Sequence, residues 1–286
     1  MEGNSSKMNE SRSKPLGADP VALPWPFEQV GDDSSPQAFT PVGCKDCRNR
    51  QPLDLDFTMA YQPIVDVSSK TIFGYEALVR GVNQESAATI LGKVTGDSLY
   101  SFDQTCRIKA IDLAAKLGLQ GFLSINFLPN AVYRPETCIR ATLQAAAEAG
   151  FPTDRLMFEV TEGERIVDSA HLKGIFREYK RQGFTTAIDD FGAGYSGLNL
   201  LADFQPDIIK LDMALTRNID SDRVRRAIVA SILRFCEELS IRVIAEGVET
   251  REERDTLVGE GVSLFQGYYF ARPGFECLPQ VTESAW

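Results

Sequence analysis

The sequence contains a single histidine, His171, among 286 residues. That scarcity excludes mechanisms built on several imidazoles, including His-rich binuclear phosphohydrolases and most histidine-bearing zinc sites. A Ser-His-Asp triad would have to use His171, which lies early in the helical-looking stretch SAHLKGIFREYKRQG and not at a site-forming turn. Catalysis in this chain must rest on carboxylates, amides or lysine. Basic residues are also in deficit, 30 Lys and Arg against 40 Asp and Glu, a net charge of −10. A nucleic-acid polymer, whose affinity depends on many cationic contacts to phosphate, is therefore not an expected partner. A small phosphate ester stays open as a ligand if metal ions stand between it and the carboxylates. No apolar run reaches the length that spans a bilayer. The opening MEGNSSKMNESRSK lacks the apolar core of a secretory signal, so a cytoplasmic protein is expected. The six cysteines are scattered apart from Cys44-x-x-Cys47, and a chain of this size does not need a disulfide framework. Cys106 and Cys236 fall in apolar helical patterns and read as buried thiols.

Residues 1–51 differ from the rest. Six of the 14 prolines fall by position 41, among Ser, Gly and Asp, which is the composition of a disordered tail or linker. Residues 52–286 carry another rhythm, in which short apolar or alternating segments precede longer stretches of helical period. Strands are predicted over 58–66, 71–79, 121–127, 156–161, 185–191, 208–215, 242–249 and 263–270. Between them one helix places Phe102, Cys106, Ala110 and Ala114 on a single face, and another Val224, Ile228, Ile232, Phe235 and Leu239. Gly150, Gly183 and Gly261 each close a helical run before a strand. About eight strands alternating with helices predict an α/β fold of the (β/α)8 barrel type, with a doubly wound open sheet as the alternative. No G-x-G-x-x-G follows the first strand, which weakens a dinucleotide-cofactor reading. Only VSSK separates the first two strands, so that pair is expected to include one antiparallel strand.

Glu76, Asn126, Glu159, Asp189, Asp190, Lys210, Asp212, Glu246 and Gln266 all fall in or near the C-terminal half of a predicted strand. Buried charge in a strand is costly unless paired or bound to metal. In a barrel those strand ends converge on one mouth, where active sites are found. Carboxylates and an amide oxygen are hard ligands, suited to Mg²⁺ or Mn²⁺ and poorly suited to zinc. The adjacent Asp189 and Asp190 can serve two ions about 4 Å apart, an arrangement that polarises a phosphoryl oxygen and activates water for in-line attack. Lys210 can hold that water or the developing charge. A structural ion-pair network is the bland alternative, with too few basic residues nearby to neutralise five carboxylate and amide groups.

These residues resemble those of the EAL-domain cyclic di-GMP phosphodiesterases. Glu76-Ala77-Leu78 stands inside GYEALVR, with YQPIVD, SINF, FEVTE, AIDDFGAGYSGL, PDIIKLD, VIAEGVET and FQGYYFARP in family order over roughly residues 53–275. The resemblance implies a modified TIM barrel with one antiparallel strand. It implies that Glu76, Asn126, Glu159 and Asp189 ligate one divalent cation, Mg²⁺ or Mn²⁺, and that Asp189 and Asp190 serve a second. Lys210 and Glu246 would orient or activate water, Glu246 standing at the metal site, with Gln266 assisting. Gln62, Arg80 and Asp212 would contact the substrate. Glu162 would steady the loop after Asp190, Glu249 would support the end of its strand, and Gly192 and Gly194 would let that loop move. The implied reaction opens cyclic di-GMP to linear pGpG, and a homodimer is implied through the barrel face near the same loop. Gly81 after Arg80, and Gly197 in the loop, depart from the family's common residues without removing a ligand.

Overall fold

The structure, a computed structural model, describes residues 55–286 apart from 97, 133, 162–168 and 195–196. The predicted tail with Cys44 and Cys47, and Glu162 of the predicted site, lie outside the described residues.

β1 (Phe57–Asp66) and β2 (Thr71–Gly81) form the expected antiparallel hairpin, with Gln62 opposite Glu76. From β2 onward the strands run parallel: β3 (Phe122–Asn126), β4 (Leu156–Thr161), β5 (Thr185–Phe191), β6 (Ile208–Leu211), β7 (Arg242–Ala245) and β8 (Leu264–Phe265). β8 pairs back onto β1, closing an eight-stranded barrel in which β1 is antiparallel to both neighbours. β9 (Gly274–Phe275) adds to β1 from outside the barrel. The helices are α1 (Ala87–Leu91), α2 (Leu99–Lys116), α3 (Pro135–Cys138), α4 (Arg140–Ala149), α5 (Ser169–Arg181), α6 (Gly197–Asp203), α7 (Met213–Thr216), α8 (Arg223–Glu238) and α9 (Arg251–Gly259).

Two apolar layers hold this arrangement. The larger lies between barrel and helices, where Phe127, Phe158, Tyr179 and Phe184 meet in tilted and edge-on pairs. Each such pair adds about 0.5–1.5 kcal/mol beyond its burial. Phe102, Cys106, Ala110 and Ala114 of α2 all face this layer. The smaller layer fills the barrel interior with Ile64, Met157, Ala187, Ile208, Ile244 and Leu264. Each of these stands two residues from a predicted site residue: Gln62, Glu159, Asp189 and Lys210 on the same strand, and Glu246 and Gln266 as the first residues after β7 and β8. Side chains two apart on a strand share a face, so the apolar layer is the floor beneath the polar one.

Three strand predictions run too long. β6 stops at Leu211 because the carboxylate of Asp212 accepts the backbone N–H of Ala214 and opens α7. β7 stops at Ala245, and β8 spans only Leu264–Phe265. The predicted face of α8 is also corrected. Val229, Ile232 and Cys236 are buried, whereas Val224, Ile228 and Leu239 are 68%, 43% and 46% exposed. The apolar stripe is real, but of its five residues only Ile232 and Phe235 pack on the core, and the other three lie to one side. Gly150 caps α4 in the left-handed conformation, as its place before a strand predicts.

Candidate active site

The polar layer forms around Lys210, which β6 carries into the barrel and which is completely buried. Its Nζ lies 2.8 Å from Glu246 Oε1, 2.9 Å from Glu159 Oε2, 3.0 Å from Asp189 Oδ1 and 3.4 Å from Glu76 Oε2. Three strands and the loop directly after β7 thus send a carboxylate each to one ammonium. Burial opposes the charge on Lys210, and the attraction of Asp189, Glu159, Glu246 and Glu76 outweighs it, so its pKa rises well above the ordinary value. Burial pushes Glu159 up to about 8 against the pull of Lys210, with Glu76 and Asp189 adding repulsion. Burial and the neighbouring Asp189 push Asp190 up to about 7, and burial with Asp189 raises Glu246 well above the carboxylate range. One lysine is insufficient to neutralise this set.

Glu76 ties the layer together on its other side. Its Oε1 accepts from Asn126 Nδ2 at 2.8 Å, and its Oε2 accepts from Gln266 Nε2 at 2.7 Å. Gln266 also donates to Gln62 Oε1 at 3.4 Å. All of these except Asn126 come from strand ends directly above the apolar floor or, for Glu76, opposite Gln62 in the hairpin.

Asp189 and Asp190 pose a geometric problem, because adjacent strand residues point to opposite faces. The chain solves it with a local break. The β5–β6 register shifts between Ile188 and Phe191, and Asp190 adopts φ +53°. A non-glycine residue in that region costs about 1–3 kcal/mol, the kind of strain that sites store. The result is two carboxylate groups that share Asp189: Glu76 with Glu159, and Asp190 with Glu246, the ligand atoms of each group lying within 4.8 Å of one another.

Whether these residues suit divalent cations can be tested on the atoms. Glu159 Oε1 is buried without a hydrogen-bond partner, as is Gln266 Oε1. An orphaned buried carboxylate oxygen is costly, and a coordinated cation satisfies it. The donors are hard oxygens, with neither histidine nor cysteine in either group. The residues fit Mg²⁺ or Mn²⁺.

Other predicted residues divide. Gln62, Asp212, Glu249 and Gln266 line an acidic cleft of about 300 Å³ together with Glu76, Asp189, Asp190 and Glu246. Glu249 there pairs with Arg217 at 2.8 Å. Arg80 does not line the cleft; its Nη1 donates to the carbonyl of Val79 at 2.7 Å. Gly192 and Gly194 line a separate apolar groove with Leu198, Leu215, Val224 and Ile228. Gly192 has φ +99°, and a Cβ there would stand 2.4 Å from Leu215 Cδ1, so only glycine fits. His171 is elsewhere, its Nε2 against the carbonyl of Val132. Sequence reasoning missed Met213, Gly247 and Tyr268, which also line the cleft. Tyr268 stands at the mouth, 48% exposed, with the Arg272 guanidinium 4.2 Å from its ring centre. Their signal was position: Gly247 directly follows Glu246, and Tyr268 stands two residues after Gln266.

Comparison with known proteins gives this arrangement a lineage. The blue light- and temperature-regulated antirepressor BluF of Escherichia coli is 32% identical over 228 residues, 79% of this chain and 56% of BluF. The probable cyclic di-GMP phosphodiesterase PdeG of Escherichia coli is 32% identical over 225 residues, 74% of this chain and 44% of PdeG. The chain thus spans about half the length of these two relatives. Among solved structures, a standalone EAL protein from Vibrio cholerae, in its c-di-GMP-bound form, is 58% identical with a TM-score of 0.80, covering 82% of this chain and 99% of that one. The manganese and cyclic di-GMP complex of Klebsiella pneumoniae BlrP1 is 36% identical with a TM-score of 0.75, over 81% of this chain and 59% of that one. The EAL domain model matches residues 48–273, the stretch whose strand ends converge on Lys210, and the chain belongs to the EAL domain family.

Proposed function

We propose that the acidic mouth hydrolyses one phosphodiester bond of cyclic di-GMP to give linear pGpG, using two divalent cations, Mg²⁺ or Mn²⁺. The observation that carries this reading is the pair of carboxylate groups joined by Asp189 around the fully buried Lys210. Glu76, Asn126, Glu159 and Asp189 would hold one cation, and Asp189 and Asp190 the other, with Glu246 beside it. Bound there, the cations supply Lewis-acid polarisation of the phosphoryl group and a lowered pKa for water. Lys210 Nζ orients the attacking water and stabilises the charge that develops on phosphorus oxygens. The Glu246 carboxylate, 2.8 Å from Lys210 Nζ, takes the water proton. The P–O bond to the water forms as the P–O bond to the ribose breaks; the departing ribose oxygen takes a proton from solvent water, and the proton held by Glu246 returns to solvent, which closes the balance. Gln62, Gln266 and Asp212 bind substrate in the cleft; Arg80 joins them by leaving the Val79 carbonyl for a phosphate oxygen.

The apolar groove at Gly192 and Gly194, with Leu198 66% and Val224 68% exposed, is assigned to a second copy of the chain, giving a homodimer. Among the described residues no helix is long and apolar enough to cross a membrane, and the reading places the enzyme in the cytoplasm. Similarity to an antirepressor favours a second reading, a cyclic di-GMP receptor with little turnover. Incubation of the protein with cyclic di-GMP and Mg²⁺, Mn²⁺ or chelator, followed by chromatography, separates the two. Metal-dependent pGpG is expected. Binding without product would favour the receptor, and neither binding nor product would overturn both.

A further inference from the structure

We propose that Thr216 and Glu253 are positioning residues that fix Glu246 in the mouth by clipping the loop after β7 to the segment after β6. Neither side chain reaches the carboxylate cluster. Both are buried, Thr216 completely and Glu253 to within 1%.

Thr216 closes the single turn of α7, and its hydroxyl donates to the backbone carbonyl of Glu246 at 2.6 Å. The N–H of Glu246 donates to the carbonyl of Leu211 at 3.1 Å. Both backbone polar groups of Glu246 therefore end on the β6–α7 segment. Gly247 follows at φ +63°, and a Cβ there would stand 2.4 Å from Met213 Cβ, so the two segments are in van der Waals contact.

Glu253 makes the second attachment. It stands at the third position of α9, where its Oε2 accepts the N–H groups of Glu249 at 2.9 Å and Thr250 at 3.1 Å. Thr250 Oγ1 accepts the N–H of Glu253 in return, completing a capping box. A capping box uses one carboxylate oxygen. Here the other, Oε1, crosses to the neighbouring loop and accepts the N–H of Asn218 at 2.9 Å. All three of these partners are N–H donors. An amide at position 253 would satisfy one side and turn its own N–H₂ toward a donor on the other, so glutamine opens the clip.

The clip matters because Glu246 belongs to the carboxylate group with Asp189 and Asp190, and groups behind a metal ligand set its orientation. The chemistry of this inference rests on the phosphodiesterase reading; the attachments stand without it. The test uses Thr216→Val, which removes the hydroxyl at nearly constant volume, Thr216→Ser, which keeps it, and Glu253→Gln. Phe176→Leu, where α5 stacks on Phe204 just after α6, serves as a destabilised control away from the clip. Free Mn²⁺ is followed by its EPR signal during titration of each full-length protein, and thermal midpoints are recorded in parallel. Thr216→Val and Glu253→Gln are expected to weaken Mn²⁺ binding by about ten- to a hundredfold, the usual cost of losing an outer partner. Thr216→Ser and the control are expected to bind as the unmodified protein does. Unchanged binding in both clip variants would overturn the inference, as would an equal loss in the control. An unmodified protein that binds Mn²⁺ but makes no pGpG would overturn the phosphodiesterase reading alone. One that binds no Mn²⁺ would overturn both.

Discussion

Glu76→Ala is expected to abolish hydrolysis of cyclic di-GMP while leaving part of the substrate binding intact. Glu76 is the one carboxylate whose two oxygens reach Asn126, Gln266 and Lys210 together. Truncation removes a proposed metal ligand and frees three polar groups that it orients. Metal-derived charge stabilisation is worth several kcal/mol in the transition state. Its loss corresponds to a rate lower by about a thousandfold or more. Gln62, Asp212 and Tyr268 also line the cleft, and the substitution leaves the Glu76 backbone and its pairing with Gln62 in place, so ligand binding should weaken without vanishing. Steady-state kinetics with a binding titration on the same preparation checks this. Turnover surviving the substitution would sink the metal assignment.

Glu76 could be singled out from the sequence by its place in a strand that otherwise reads as buried and by the GYEALVR motif around it, and strand periodicity marks its companions. Gln62, Glu159, Asp189, Lys210, Glu246 and Gln266 each stand two positions from an aliphatic residue now found in the barrel floor. Polar groups on an otherwise buried face therefore marked the mouth before any coordinates did. The local device at Asp190 was not legible. Nothing in the run AIDDF announces a register break and a positive φ, since aspartate tolerates that conformation without requiring it. The ends of β6, β7 and β8 were misjudged because apolar composition continues into α7 and into the loops that line the cleft. The stripe on α8 was legible as a stripe, but period alone does not say which side packs. Val224 and Ile228 instead border the groove beside Gly192 and Gly194. The clip through Thr216 and Glu253 joins residues 30 and 35 positions apart to two different loops, and local pattern carries no trace of it.

Lys210→Met is expected to damage the metal-free protein severely and the metal-loaded protein mainly in its rate. Without the ammonium, Glu76, Glu159, Asp189 and Glu246 lose the cation they share. Breaking a buried ion pair from one side costs about 3–5 kcal/mol. At about 2–4 °C per kcal/mol this lowers the thermal midpoint on the order of 10 °C. The loss has a pH signature. Glu159 and Asp190 are raised in the folded protein, to about 8 and about 7, so their contribution to stability is full below their unfolded values and falls as pH rises through the folded ones. Removing Lys210 raises the carboxylates further, and the deficit should be small near pH 5 and large near pH 8. Mn²⁺ at pH 8 should restore most of the midpoint by replacing the missing positive charge. Hydrolysis should stay depressed by about a hundred- to a thousandfold, the scale for losing one oriented donor to developing charge. Calorimetry at both pH values, with and without Mn²⁺, separates these contributions. Equal midpoints for variant and unmodified protein at pH 8 without metal would show that Lys210 does not neutralise the cluster.

The most direct measurement is anomalous scattering from manganese in crystals grown with Mn²⁺ and cyclic di-GMP. Two peaks are expected, one touching Glu76, Asn126, Glu159 and Asp189, the other touching Asp189 and Asp190 beside Glu246. A mouth without manganese, its carboxylates still closed on Lys210, would contradict the account.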